Sequence, residues 1–412
     1  MSEIFDVIVI GAGPSGMIAA IAAGERNLKT LLLEKKSRPG IKLSITGKGR
    51  CNLTNSADIG EFVKCFRNGK FLYAAFNAFS NEDLISFFEN LGVQCKLERG
   101  GRYFPESGKA SDIAAALAKR AKIFSKIITG TQVKSVSKRK DGLFEVFAGG
   151  GSFVSKNVIA ACGGLSYPST GSTGDGYEIA ENFGHTVKEL SAALVPLVLD
   201  SPYLKELSGL KLKNVGVSVL NGKKTLAEEF GEAEFTVFGA DGPVILTLSS
   251  LTGEEIKKSE LFLSVNFKPA LSPEQLNLRL LREIDKFGQY PVKDMLKELL
   301  PVRLIKPFLN YCGINIAKKC SQINKADREK ISASLFDFRF KIKGVKDIKE
   351  AIVTRGGVSA DEIEQKTMQS KLVKGLYFCG EMIDVDAPTG GFNLQAAFST
   401  GYLAGKSVNG GE

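Results

Sequence analysis

Gly11, Gly13 and Gly16 stand in the spacing G-x-G-x-x-G, and Glu34 follows 23 residues after the first of them. Such glycines permit a tight turn at Gly11, close backbone approach to a diphosphate at Gly13, and close helix–strand contact at Gly16. Pro14 and Ser15 open the stretch MIAAIAAGER, whose N-terminal amides and positive potential suit phosphate. A carboxylate at Glu34, next to Lys35, accepts hydrogen bonds from ribose hydroxyls. A second polar stretch, TGKGRCNLTN at 46–55, gathers Thr46, Arg50, Cys51 and Asn52 close behind Lys42. By itself it reads as a phosphate cradle, a nucleic-acid loop, half a metal site or a polar turn.

The elements that must hold these residues are legible on either side. Phe5 to Ile10 is an apolar strand, the glycine turn leads into a helix of small residues, and Leu28 to Leu33 is a second strand ending on Glu34. Strand, glycine turn, helix, strand and terminal acid together make a dinucleotide-binding Rossmann unit. The segment 40–55 then leaves the sheet as a loop where ribose and diphosphate end. Its glycines allow close backbone approach, and Lys42 and Arg50 meet phosphate charge.

Composition narrows the chemistry. In 412 residues, 43% are apolar and 24% charged, which predicts a globular chain of two or three domains. Apolar runs break within about ten residues, short of the ~20 that span a bilayer. The N-terminal run carries Glu3 and Asp6 and reads as a strand, not a leader. Seven cysteines without a CxxC pair predict reduced thiols, a cytoplasmic setting and no zinc site. One histidine, His185, excludes histidine triads and histidine-rich metal centres. The net charge of +10 is scattered, so it reads as solvated faces, with a diffuse anionic partner as the alternative.

GPSG at 13–16, GIKLSITGKGRCNLTN at 40–55, ACGGLSYPSTGSTGDGY at 161–177, TRGGVSADEI at 354–363 and GLYFCGEMIDVDAPTGGFNLQAAFSTGYLAG at 375–405 occur in the order of one family. On these motifs the chain resembles the HI0933-like flavoproteins, which include aminoacetone-oxidase-like and bile-acid-reductase-like enzymes. The resemblance implies noncovalent FAD in a glutathione-reductase-like α/β fold with an inserted β-barrel-like domain that carries a helical subdomain. It further implies that Val133 offers its backbone to adenine and that Ala161 to Gly163 pass beside the ADP portion. Gly380, Glu381, Asp386, Gly391, Asn393 and Leu394 then line the flavin end. The helix opened by Gly390-Gly391 presents free amides to the flavin pyrimidine ring, where negative charge collects on reduction.

The residue pattern agrees with that layout. Val133–Val136, Leu143–Ala148 and Val154–Ala161 form a small meander around Asp141-Gly142. The sequence divides into 1–190 and 351–412 for the FAD domain, 191–270 and 334–350 for the barrel-like insert, and 271–333 for the helical subdomain. Alternating Val215, Val217 and Val219 precede Asn221-Gly222, a type I′ hairpin signal. Phe336, Phe338, Phe340 and Ile342 alternate as a strand, and Ser272-Pro273-Glu274-Gln275 carries a capping box.

Val237 and Asp241 in EFTVFGADGPVIL stand where the family has histidine and serine, and Arg355 stands where it has a small residue. His185, just after Gly184, reads as structural at a helix C-terminus, and Cys51 as a packed thiol. Arg102 and Tyr167 are the substrate-side candidates, since both adjoin segments expected near the flavin. No second G-x-G-x-x-G occurs, so NAD(P)H, if it is the donor, visits the flavin face transiently. The resulting expectation is an FAD-dependent oxidoreductase acting at flavin N5 on a small amine, ketone or unsaturated carbonyl compound. An RNA-handling flavoprotein and a non-catalytic redox sensor are the alternatives.

Overall fold

The computed structural model describes residues 3–409. The chain forms two compact units, Met1–Ala193 with Ile348–Glu412, and Leu194–Asp347.

The first unit opens with β1 (Ile4–Ile10), α1 (Pro14–Gly24) and β2 (Thr30–Leu33). Both strands are apolar runs buried on two faces, as a parallel sheet covered by helices requires. Helix α2 (Ile41–Gly49) follows where the sequence predicted only a loop. It is not regular: Thr46 is extended, and Gly47 and Lys48 are left-handed. The glycines that suggested a loop therefore break the helix instead of preventing it.

A small antiparallel sheet comes next, from β3 (Thr54–Asn55), β4 (Cys95–Glu98) and β5 (Arg102–Pro105), in the order β3-β5-β4. Helix α3 (Ala110–Phe124) leads to β6 (Lys126–Ile128). The predicted meander follows as β7 (Val133–Lys138), β8 (Phe144–Ala148) and β9 (Gly151–Ala160). The main sheet runs β6-β2-β1-β9-β8-β7. After α4 (Asp175–Asn182), β10 (Val187–Ala193) closes this part of the unit.

The second unit is built on β11 (Leu197–Asp200), β12 (Lys211–Asn221), β13 (Lys224–Phe235), β14 (Gly239–Asp241), β15 (Leu261–Asn266) and β16 (Phe338–Val345). These six strands form a closed barrel, β11-β14-β13-β12-β15-β16, so no strand edge is left open. The β12–β13 hairpin turns on Gly222-Lys223, one residue later than predicted, because Asn221 pairs with Lys224 in the ladder. Gly222 is left-handed at φ +60 and Lys223 is not, which places the glycine at the first central position. Helix α5 (Pro243–Lys258) lies between β14 and β15.

Between β15 and β16 come α6 (Pro273–Phe287), α7 (Val302–Cys312) and α8 (Lys325–Phe336). The capping box opens α6 as read: Gln275 N donates to Ser272 Oγ and Ser272 N to Gln275 Oε1. Phe336 ends α8 and does not begin the strand, so the alternation in β16 starts at Phe338.

The chain returns to the first unit with β17 (Val353–Val358), which pairs with β10, and β18 (Leu376–Phe378), which adds to the main sheet in parallel beside β9. The last helix is α9 (Phe392–Ser407). No helix among the described residues is long and apolar enough to cross a membrane, and no cluster of potential metal ligands occurs among them. The fold is α/β, a Rossmann sheet joined to a closed barrel.

Candidate functional site

Strands β1, β2, β9 and β18 are parallel, so their carboxyl ends and the loops that follow share one edge of the sheet, where α/β folds bind ligands. Gly11, at φ +100, crosses Ala161 so closely that a Cβ would sit 2.5 Å from the Ala161 carbonyl oxygen. A Cβ on Gly16 would lie 1.8 Å from the Gly11 oxygen. Gly13 differs, because nothing lies within 4 Å of where its Cβ would be. It is the N-cap of α1, where no side chain caps the helix amides. The space above Gly13 is therefore open, polar and electropositive.

Glu34 closes the end of β2 and is buried. Its Oε2 accepts from Ala12 N and its Oε1 from Lys36 N, both at 2.8 Å, which fixes the carboxylate and leaves further lone pairs. Lys35 turns to Thr173 and Asp175 at the start of α4. Burial pushes the Asp175 carboxyl up, but Thr173 and Lys35 outweigh it and hold it below the ordinary range. Val133 begins β7 and is buried. Gly163 is left-handed at φ +74, with Ser172 Oγ 3.1 Å from the position of a Cβ.

The broken end of α2 sets up the second half of the edge. Thr46 Oγ1 donates to Leu43 O, and Cys51 N to Thr46 O, so the left-handed residues 47–49 form a closed turn. Cys51 is fully buried, and burial pushes its thiol up to about 12, so it is an inert packing residue, as read. Beside it, the Asn52 carboxamide oxygen is buried and has no protein partner. Thr54 Oγ1 donates to Gln395 Oε1 at 2.6 Å, and a Cβ on Gly391 would lie 2.4 Å from Thr54 O. Residues 52–54 are thus pinned to the start of α9. Gly391 is the left-handed N-cap of α9, again without a capping side chain.

Helices α1 and α9 run side by side in the same sense. Gly401 meets Ser15 O and Gly405 meets Ala19 O so closely that a Cβ would come to 2.2 and 2.3 Å. Only glycine lets the two backbones approach to this degree. Gly391 lies ten residues upstream of Gly401 and Gly13 two upstream of Ser15, so the α9 N-terminus projects about 12 Å beyond that of α1 at 1.5 Å per residue. Two uncapped helix N-termini thus face the same edge, one at each end of a span of that length.

Between them lies a charged network absent from the sequence reading. Lys42 Nζ donates to Glu381 Oε2 at 2.5 Å and to Ser166 Oγ at 2.7 Å. Glu381 Oε1 accepts from Ser166 Oγ and from Thr354 N. Burial pulls the Glu381 carboxyl upward, but the Lys42 ammonium prevails and holds it below the ordinary carboxylate range. Gly380, just before it, is left-handed and lies against Ser15 Oγ. Ser166 and Thr354 lie inside the motifs ACGGLSYPST and TRGGV, so their positions carried a signal although their partners did not.

Asp386 is buried in an ion pair with Arg355, Nη2 to Oδ2 at 2.9 Å. Asn393 is spent on backbone, with Oδ1 on Ala387 N and Nδ2 on Ala387 O, so its side chain braces the 386–391 loop. Leu394 packs at the edge of the first unit's core.

Arg50 points outward, 2.6 Å from Glu98 and stacked on Phe104. Arg102 is half-buried beside it, its Nε donating to Arg99 O. Tyr167 is left-handed at φ +53 in the loop after Ser166. His185 is structural, though by other partners than helix carbonyls: Nδ1 meets Glu362 and Nε2 meets Ser370 Oγ at 2.8 Å. Val237 is exposed in the second unit, and Asp241 ends β14 there.

The comparisons with known proteins agree with this architecture. The profile described as the HI0933-like protein Rossmann domain matches residues 5–407. The chain is 32% identical to a 3-dehydro-bile acid delta(4,6)-reductase of Clostridium scindens over 97% of this chain and 98% of that protein. It is 31% identical to a ribosomal RNA dihydrouridine synthase of Escherichia coli over 98% of each. Among solved structures, a 3-ketosteroid delta1-dehydrogenase of Sterolibacterium denitrificans superposes with a TM-score of 0.56 over 99% of both chains at 14% identity, a likeness of fold. With a profile match across nearly its whole length and full-length relatives above 30% identity, the chain belongs to the HI0933-like family of FAD-dependent oxidoreductases.

Proposed function

We propose that this protein holds FAD noncovalently along the sheet edge and reduces a carbon–carbon double bond conjugated to a carbonyl group. The observation that carries the cofactor assignment is the pair of uncapped helix N-termini offset by about 12 Å along the helix axes, with open space over Gly13 at one end and the unpartnered Asn52 oxygen at the other. An extended dinucleotide with its diphosphate at Gly13 and its ring near Gly391 fits that span. The amides of Ser15 and Gly16 hold the diphosphate, and Glu34 the adenosine ribose. Val133 borders the adenine, and Ala161 and Gly163 flank the ADP portion. Lys42 and Glu381, tied to each other, border the ribityl chain.

With FAD bound, the unpartnered Asn52 oxygen would accept from a ring N–H, and the first amides of α9, at Asn393 and Leu394, would stabilise the negative charge that the ring gains on reduction. Bound FAD supplies two-electron transfer as hydride; the protein's part is to bind, orient and exclude water. Arg50, turned onto Phe104 and Glu98, is left out of this set, and Thr46 and Cys51 serve it by shaping the turn.

The reaction class draws on what two full-length relatives have in common. A 3-dehydro delta(4,6) bile acid and a uridine both present a double bond conjugated to a carbonyl, and the names of both relatives describe its saturation. Such a bond accepts hydride at the carbon β to the carbonyl and a proton at the α carbon, with NAD(P)H supplying the electron pair in a separate half-reaction. Arg102 and Tyr167 remain the substrate-side candidates. The reduced cysteines suit a cytoplasmic setting.

Anaerobic mixing of the reduced holoenzyme with a panel of acceptors tests the reading. A 3-oxo-Δ4 steroid or uridine-containing RNA should restore oxidised flavin absorbance, whereas saturated ketones and isolated alkenes should not. Bleaching of the oxidised enzyme by amines, with no reoxidation by any conjugated carbonyl compound, would overturn it.

A further inference from the structure

One face of the small sheet gathers cations that the cofactor does not use. In the β4–β5 ladder Lys96 lies opposite Phe104 and Glu98 opposite Arg102, so these four side chains share a face. Arg50 joins them from the turn that ends α2. Its guanidinium carbon sits 4.3 Å from the centre of the Phe104 ring, and its Nη2 lies 2.6 Å from Glu98 Oε1. Lys96 Nζ is 3.4 Å from the same oxygen. The Arg102 guanidinium carbon is 5.9 Å from the Phe104 ring. Two cations thus converge on one carboxylate and a third lies by the same ring, with Arg99 and Lys48 exposed alongside.

The ledge is open, not a pocket: the Arg50 and Lys96 side chains are 45% and 43% exposed. It also adjoins the redox site. Asn55, opposite Arg102 in the β3–β5 pair, donates to the carbonyl of Gly390, the residue before the α9 N-cap. On the other side, Gly47 lies against both Asn52 N and the Phe104 ring.

We propose that this ledge docks the phosphodiester backbone of a single nucleic-acid strand, so that a base of that strand reaches the redox site. The proposal rests on the reductase reading only for the chemistry that follows docking. Charge supports the choice of ligand, since a surplus of two positive charges on an open face, held over the buried Phe104 ring, suits a polyanion that remains partly hydrated. Geometry supports it as well. Both guanidinium carbons lie over one ring at 4.3 and 5.9 Å, hence at most about 10 Å apart, within reach of neighbouring phosphates of one strand. Arg50 is already held by stacking and by Glu98, so docking orders little further. A small carboxylate would call for an enclosed, mostly apolar pocket, which this face does not form.

The test is binding of labelled single-stranded RNA and DNA oligonucleotides to the holoenzyme across a salt series, without turnover. Three phosphate contacts predict that the slope of log K against log salt falls by about 2 in Arg50→Gln/Lys96→Gln/Arg102→Gln, at about 0.7 per contact. Between 50 and 200 mM salt those contacts account for about 20-fold in affinity. The triple variant should keep its FAD content and its flavin spectrum. Lys293→Gln/Lys319→Gln/Lys325→Gln, on exposed lysines of the second unit, should leave the slope unchanged.

The RNA and DNA arms identify the strand. Equal slopes in wild type and the ledge variant would overturn the proposal. So would a ledge variant whose only defect is a raised KM for NADPH, since the ledge would then serve the donor. Failure of reoxidation by every conjugated carbonyl compound would sink the reductase reading while leaving this binding result intact.

Discussion

Replacing Lys42 by methionine tests the network that joins the two ends of the site. The wild-type pair is close, 2.5 Å between Lys42 Nζ and Glu381 Oε2, with side chains only 21% and 20% exposed. Removing one partner of a fully buried pair costs about 3–5 kcal/mol, mostly for the charge left behind. Here Ser166 Oγ and Thr354 N still serve Glu381 Oε1, and one-fifth of the surface is wet, so about 2–3 kcal/mol is expected. At about 2 °C per kcal/mol for a unit of this size, the unfolding midpoint should fall by about 4–6 °C.

The pH dependence fixes the mechanism. In the wild type Glu381 is held below its ordinary range, so its stabilisation is present above the ordinary carboxylate pKa and is lost as pH falls through the lower folded value. In Lys42→Met, burial, the largest influence, is opposed only by the Ser166 and Thr354 hydrogen bonds and raises the carboxyl relative to the wild type, so protonation relieves the variant first. The gap between the proteins should be widest at pH 8 and narrow toward pH 5. Thermal unfolding followed by circular dichroism across that range, with Glu381→Gln and the double variant completing a cycle, measures both effects. A gap under about 0.5 kcal/mol, or one that is flat with pH, would refute the reasoning.

Gly13→Val should leave the apoprotein's stability within about 0.5 kcal/mol, because its Cβ enters open space, yet abolish FAD retention. Gly16→Ala should destabilise by about 3 kcal/mol or more whether or not FAD is present, because its Cβ meets the Gly11 carbonyl; equal behaviour of the two variants in chemical denaturation and flavin release would contradict the site. His185 is kept neutral mainly by burial, its pKa lowered, so the unfolded chain takes up the proton first and stability falls as pH drops below the ordinary histidine value. His185→Gln should flatten the midpoint between pH 7 and 5.5, and an unaltered slope there would count against it. Cys51, Cys162 and Cys379, with thiols pushed up to about 12, are about one part in 10⁴ thiolate at pH 8 and should resist iodoacetamide until the protein unfolds. Mass spectrometry that finds Cys51 alkylated in the native state would show that its turn opens.

The Rossmann half was legible because each signal there is local. Gly11, Gly13, Gly16 and Glu34 are set by a turn and two adjacent strands, and hydrophobic runs give the strands away. The α9 start was legible for the same reason, in Gly390-Gly391 before an apolar stripe. What escaped was pairing at a distance. Lys42 meets Glu381 across 339 residues, and nothing in a run of charges names its partner. Arg50 is read as a cofactor ligand from its place in TGKGRCNLTN, and in this structure a left-handed turn sets it over Phe104 and against Glu98, partners more than 45 residues away that no local pattern names. Asn393 was read as a flavin neighbour, and it is near α9's first amides, yet its side chain is consumed by Ala387. The hairpin slip at Gly222 has a similar origin, since the ladder beyond the turn, and not the dipeptide, chose the register.

The docking of α9 on α1 has a consequence for how the protein is made. Helix α1 ends at Gly24 and its partner begins at Phe392, so 367 residues separate the two halves of one packing surface. At 5–20 residues per second, a ribosome takes about 20–70 s to cover that distance. Throughout that interval the groove of Ser15 and Ala19 lacks Gly401 and Gly405, and β9 lacks β18 as its neighbour. The barrel unit, encoded in one continuous stretch, emerges and closes first. The nucleotide-binding half matures last, and its FAD edge is complete only once α9 has been made. Until then the nascent protein displays apolar surface and an unpaired strand, features that favour misassociation during synthesis.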